Sequence, residues 1–292
     1  MKVKITNVKL LIVMIMIMVS CKNETEVLNI DATVDPPLKG VDVQESTLGY
    51  EAMGRSESDC HFEYEGELGP DHWANLCSGV WSDCAGNTQS PVNIVTSNTR
   101  ENDDLDELYL GYKNSYVSIL NNGHTVQFTY SPGSYSYLNG KKYELKQFHF
   151  HTESEHTVNG KHYPMEVHFV HKDVNSSNLA VVGVFFVEGR ENKVLAQFMN
   201  TIPTHAGDTY DSNYIYNAKE FFRYSDEDTF EEYYTYGGSL TTPPCSEIVT
   251  WYVLKEPLQA SASQIENIRN AEHENNRPTQ PLNGRVVEVS ED

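Results

Sequence analysis

Positive charge is what this chain has least of: 21 Lys and Arg stand against 42 Asp and Glu, a formal net charge of -21 over 292 residues. Phosphate backbones are held by clustered Lys and Arg, so nucleic acid is excluded as a partner. Long apolar runs are missing too. The longest, Leu10 to Val19, has ten residues, whereas a helix that crosses the hydrocarbon core needs roughly 20. Cysteine is sparse, five residues with no Cys-x-x-Cys pair, which removes the usual thiolate zinc site. Aromatic residues are plentiful, with 18 Tyr and 11 Phe. The chain is therefore too aromatic for disorder and too long to depend on disulfide staples for its core.

The amino terminus reads as an address. Lys2, Lys4 and Lys9 lead into the run Leu10 to Val19, a charged region followed by an apolar one, as in a secretory signal expected over residues 1–20. Met18-Val19-Ser20-Cys21 resembles a bacterial lipobox, in which the Cys is lipidated and becomes the first mature residue. Cys21 is thus expected to anchor the protein to a membrane. That implies export to the bacterial cell envelope, facing periplasm or cell surface. Residues 21–58 carry Pro36, Pro37, Gly40, Gly49 and Gly54 with no sustained apolar period, the composition of a flexible acidic tether. Cys60, Cys77, Cys84 and Cys245 remain, an even number in an exported chain. They imply disulfides, with three pairings open.

Residues 59–292 read as one domain. Short runs of Val, Tyr, Phe and Thr are separated by turn clusters such as Asn121-Asn122-Gly123, Ser131-Pro132-Gly133 and Asn139-Gly140, a strand-dominated pattern. Thr125 to Tyr130 alternates like a half-buried strand, and Leu179 to Val187 is apolar on both parities, like a central one. Helices are few. Val194, Leu195, Phe198, Met199 and Ile202 follow helical spacing, and Ser261 with Gln264 offers a capping box ahead of Ile265 and Ile268. The expected fold is mostly β, a single domain on a large twisted, mainly antiparallel sheet with a few peripheral helices.

Tyr143 to His171 carries the chemistry. A period of two sets Leu145, Gln147, His149 and His151 on one strand face, with Phe148 and Phe150 on the other. Two residues span roughly 6.6 Å along a strand, so both imidazoles can converge on an ion held at about 2.0 to 2.1 Å from each nitrogen. In Met165 to His171, Glu166, His168 and Val170 share a face while His171 takes the other. His168 is the third ligand that a neighbouring antiparallel strand would supply. Gln147 and Glu166 lie beside the ligands and can accept their second N–H. Three His leave a position open for water, which points to catalysis and not to a closed structural site. His61, His72, His162, His205 and His273 lack partners at useful spacing and read as surface or packing residues.

The run Gln147-Phe148-His149-Phe150-His151, with Ser154-Glu155-His156-Thr157, Glu166 to His171 and Ser239-Leu240-Thr241-Thr242-Pro243-Pro244-Cys245, resembles the α-class carbonic anhydrases. Gln89-Ser90-Pro91-Val92, Asn121-Asn122-Gly123-His124, Trp251 and Arg277-Pro278-Thr279-Gln280-Pro281 extend the resemblance in order, from about Cys60 to Val289. It implies reversible hydration of carbon dioxide to bicarbonate by zinc-bound hydroxide, with Zn2+ on His149, His151 and His168. Zinc rests on the resemblance, since His ligands also suit copper, iron and cobalt. By the same resemblance Thr241 accepts a hydrogen bond from the hydroxide while donating to Glu155, and His124 shuttles protons to buffer. Val170, Val181, Leu240, Val249 and Trp251 would line the carbon dioxide pocket, with Tyr64, Asn121 and Gln127 holding a water path. Asn275 would offer its backbone carbonyl to His151. Cys84 would bridge to Cys245, leaving Cys60 with Cys77.

Two rivals compete with this reading. A cupin-type metal enzyme shares the His149-x-His151 and Glu155 spacing but gives the Thr241 to Cys245 run no role. A non-catalytic surface binding protein of the same fold would be expected to have lost a ligand, and here all three His are present. The sequence leaves the oligomeric state open, a dimer included.

Overall fold

The computed structural model describes residues 60–222 and 229–290. The expected signal, Cys21 and the tether lie outside the described residues. A 14-stranded sheet dominates. From one edge its main path runs Thr209–Tyr216, Ser115–Asn121, Val126–Thr129, Lys141–His151, Met165–Asp173 and Leu179–Glu188. It continues through Val249–Leu254, Tyr233–Gly238, Glu288–Val289 and Arg100–Glu101. Neighbours on this path are antiparallel. The exceptions are the parallel contacts of Leu179–Glu188 with Val249–Leu254 and of Glu288–Val289 with Arg100–Glu101. The fold is the mostly-β, mainly antiparallel class expected.

Burial follows the patterning. Leu179 to Phe186 is buried at every position, as a strand covered on both faces must be, while Val126–Thr129 alternates. Behind the histidine strands lies an aromatic core. Phe128 stacks on Phe148 at 4.7 Å between ring centroids, and Phe148 meets Phe169 at 5.5 Å; such pairs contribute about 0.5–1.5 kcal/mol each beyond their buried area. A smaller cluster of Phe62, Trp73, Trp81, Cys84 and Cys245 packs separately. Both disulfides join it: Cys60 pairs with Cys77, and Cys84 with Cys245.

Helix Ala262–Glu272 starts at the expected capping box, Ser261 and Gln264 each satisfying the other's backbone N–H. The second expected helix is shorter than its spacing predicts. Only Lys193–Ala196 is α-helical, capped by the Asn192 side chain, and turns carry Phe198 into the core. Pro203 stands just beyond, where a continued helix would need its missing N–H. One parity expectation fails. The register shifts between Leu145 and Gln147, so Leu145 joins Phe148 and Phe150 in the core and not the histidine face. An extra residue in a ladder reverses the parity on one side of it. No helix among the described residues is long and apolar enough to cross a membrane.

Candidate active site

Two neighbouring strands assemble the histidines. His149 and His168 are direct antiparallel partners, and His151 sits one pleat further, opposite Glu166. One ring nitrogen from each of His149, His151 and His168 lies within 4.8 Å of the others. His151 and His168 are 1% exposed, while His149 is half-buried.

Two of the imidazoles are held through their other nitrogen, and the third faces a carboxylate through it. His149 Nδ1 is 2.8 Å from Gln147 Oε1, and His151 Nδ1 donates to the Asn275 carbonyl oxygen at 2.7 Å. His168 Nε2 approaches Glu166 Oε1 at 2.9 Å, in a bent contact that leaves the nitrogen without a well-formed bond. These contacts put a lone pair on the inward nitrogens. His151 Nε2 is buried with no hydrogen-bond partner, which a cation would satisfy. Burial, then His151 and His168, push the His149 pKa well below the ordinary histidine value, and burial lowers that of His151 despite Glu155. Neutral imidazoles are what metal ligation needs.

Glu166 is shared. Its Oε1 also takes the His156 Nδ1 proton at 2.8 Å and its Oε2 the His156 backbone N–H at 2.9 Å. Burial alone would raise its pKa, but His156 and His168 hold it well below the usual carboxylate value. Gly183, the cross-strand partner of His168, makes room for this: a Cβ there would lie 2.8 Å from Glu166 Oε1.

The expected bond between Thr241 and Glu155 is not formed. Glu155 Oε1 accepts the Arg277 backbone N–H at 2.9 Å, and Oε2 has no hydrogen-bond partner. That second oxygen instead lies 3.5 Å from His151 Nε2 and 3.8 Å from His168 Nδ1. Thr241 itself is buried on the loop that Cys245 pins to Cys84.

Asn121 does not stand on the water path expected of it. Its buried amide donates to the Pro203 and Ala271 carbonyls, and its oxygen accepts the Gly123 N–H in the turn before His124, so both side-chain polar atoms are engaged within the protein. Gln127 pairs with His149 across the ladder and is half-buried. The Tyr64 hydroxyl is buried and unpartnered, and burial with Glu155 and Glu272 nearby raises its pKa well above the usual phenol value. His124 is half-buried rather than exposed and stacks on Phe62 at 3.8 Å. Burial first, then His61, lowers its pKa from 6.5.

A row of partners carries the apolar wall. Val170 pairs with Val181, and Val181 with Trp251; Val249 lies one pleat from Trp251, whose ring is 4.8 Å from that of His168. Leu240, next to Thr241 in the chain, is half-buried. Sequence reasoning assigned no role to His156, Tyr236 or Arg277. His156 Nε2 is 2.7 Å from the Tyr236 hydroxyl, which reaches Ser90 Oγ at 3.0 Å, and Ser90 Oγ accepts the Ser239 N–H at 3.1 Å. The chain of contacts links Glu166 to the start of the Thr241 loop. Buried Arg277 donates to Gln89 Oε1 and the Ser90 and Cys84 carbonyls. His156 and Arg277 stood in motifs with family resemblance; nothing in the local sequence marks Tyr236.

The comparisons with known proteins agree with this geometry. A family profile described as eukaryotic-type carbonic anhydrase matches residues 68–291. The chain is 41% identical to a carbonic anhydrase of Pectobacterium atrosepticum over 229 residues, covering 78% of this chain and 90% of that protein. It is 37% identical to one from Nostoc sp. over 253 residues, 82% and 94% of the two chains. Among solved structures, the α-carbonic anhydrase of Thermovibrio ammonificans in complex with the inhibitor sulfanilamide superposes with a TM-score of 0.73 at 41% identity, covering 78% of this chain and 99% of that one. Fold and site together define a mostly-β enzyme with a three-histidine centre. The chain belongs to the α-class, eukaryotic-type carbonic anhydrases, the enzymes that hydrate carbon dioxide.

Proposed function

We propose that His149, His151 and His168 hold zinc and that the chain hydrates carbon dioxide reversibly, releasing bicarbonate and a proton, with His124 as the proton shuttle. The observation that carries the reading is the convergence of one nitrogen from each of three imidazoles whose other nitrogens already face acceptors. Zinc so held supplies Lewis acidity that brings the pKa of a water to about 7, a value established on carbonic anhydrase itself.

The chain's own residues do the rest. The Thr241 hydroxyl orients the attacking oxygen by accepting its hydrogen bond, which requires Thr241 to give its own proton elsewhere. Glu155 Oε2 is free to take that proton. Val170, Val181, Leu240, Val249 and Trp251 offer an apolar wall to carbon dioxide. Hydration leaves a proton behind, which passes along waters beside Tyr64 and Gln127 to His124 and then to buffer. Gln147, Glu166 and Asn275 fix the ligand rings.

The same reading extends to location. Leu10 to Val19 and Cys21 support export and a lipid anchor in the bacterial envelope; labelled palmitate should enter the wild type and not Cys21→Ser. The metal assignment is tested by zinc titration of the apoprotein. One equivalent of tightly bound zinc is expected, lost in His149→Ala, His151→Ala and His168→Ala. Unchanged binding in these variants would overturn it.

A further inference from the structure

Ahead of the shuttle histidine stands a pair of titratable side chains that the reaction as described does not use. His61 and Glu63 are in contact, His61 Nε2 with Glu63 Oε1, and both are largely exposed, 61% and 54%. The His61 ring lies 5.9 Å from that of His124, centroid to centroid. Rings this close can exchange a proton through a bridging water.

The pair rides on a fixed backbone. Glu63 donates its N–H to the Leu68 carbonyl at 2.9 Å, and its carbonyl accepts the Trp73 indole N–H at 3.0 Å. One residue before His61, the Cys60–Cys77 disulfide ties the segment down. Between the two members, Phe62 covers one face of His124 and meets Trp73 and Trp81 edge-on at 5.2 and 5.9 Å. Exposure increases outward, from buried His151 and His168 through half-buried His124 to His61.

His124 is therefore placed well to receive a proton but is partly shielded from buffer. With its Nε2–H directed at a carboxylate, His61 keeps Nδ1 as an acceptor. We infer that His61 and Glu63 form an outer relay that takes the proton from His124 and delivers it to solvent, extending the shuttle by one station. The transfer balances: the proton leaves the His124 imidazolium for His61 Nδ1, His61 yields its Nε2 proton to the Glu63 carboxylate, and Glu63 loses it to buffer base. Return of His61 to its starting tautomer completes the cycle. This inference rests on His124 acting as the shuttle.

The test is stopped-flow hydration of carbon dioxide by the zinc-loaded protein at low concentration of a bulky buffer, comparing wild type with His61→Ala, Glu63→Gln and His124→Ala. The relay predicts that kcat falls several-fold in both outer variants while kcat/KM is unchanged, and that free imidazole restores it. A general loss of structure would not produce this split or this rescue. If His124→Ala lowers kcat and the outer variants do not, the relay is overturned and the shuttle stands. If His124→Ala also leaves kcat unchanged, the shuttle reading fails and the relay with it.

Discussion

Glu166 shows how much of the site turns on one side chain. It faces His168 on one side and His156 on the other, so its removal leaves two buried imidazoles without their acceptor. Leaving a buried hydrogen-bonding group unsatisfied commonly costs about 1–3 kcal/mol, and loss of a partner to a metal-bound His lowers metal affinity about 10–100-fold. Glu166→Ala should therefore weaken zinc in competition with a chelator and lower the denaturation midpoint; unchanged values for both would remove Glu166 from the support of His168. Glu272 makes a different prediction. Burial raises its pKa from 4.5 to about 8, against hydrogen bonds from the Val126 N–H, the Thr125 hydroxyl and the Asn275 amide. An unfolded chain gives up this proton near 4.5 and the native state holds it to about 8. Stability from this group is complete below the lower value and is lost as pH rises through the upper one. Glu272→Gln should flatten that slope in urea denaturations at the two ends of the window. At this scale the sequence was legible where parity is simple. His149, His151 and His168 alternate cleanly, whereas Leu145 crosses a register shift that its neighbours do not announce.

Among the elements, the Thr241 loop is the one whose position is set from outside. Cys245 ties it to Cys84 across 161 residues of sequence, and Gln89 donates to the Cys245 carbonyl at 3.1 Å. Removing a native disulfide from a small secreted domain costs about 2–5 kcal/mol, and closure of a long loop tends toward the upper part. Cys84→Ser with Cys245→Ser should lose stability of that size in chemical denaturation and lower kcat/KM through displacement of Thr241. Full activity with a displaced loop would separate Thr241 from the chemistry. The elements themselves were unevenly legible. Ser261 and Gln264 announced a helix because capping is local chemistry, and Leu179 to Phe186 announced a central strand because burial on both faces requires apolar residues throughout. The edge strand Thr209–Tyr216 is exposed at all positions but Ser212 and Tyr216, so it carries no alternation to read. The short 3-10 turns between Gly66 and Ala85 are held by tertiary packing and disulfides, which no local pattern encodes.

For the molecule as a whole, the sheet explains why a site of three histidines survives in so acidic a chain. The ligands sit on adjacent strands with a continuous aromatic core behind them, so the geometry depends on buried packing and not on exposed charge. Salt should accordingly have little effect on zinc retention, because screening acts on exposed charges and hardly on buried ones. The fold class was legible from the spacing of strands and turns. The links from Glu166 through His156 and Tyr236 to the Thr241 loop were not, because they join residues distant in sequence. The central claim is that His149, His151 and His168 make the centre at which carbon dioxide is hydrated. It is tested most directly by stopped-flow hydration with the zinc-loaded wild type beside His168→Ala. The account predicts rapid hydration by the wild type and its loss in the variant. A folded, zinc-loaded wild type no faster than buffer, or a variant as fast as the wild type, would contradict it.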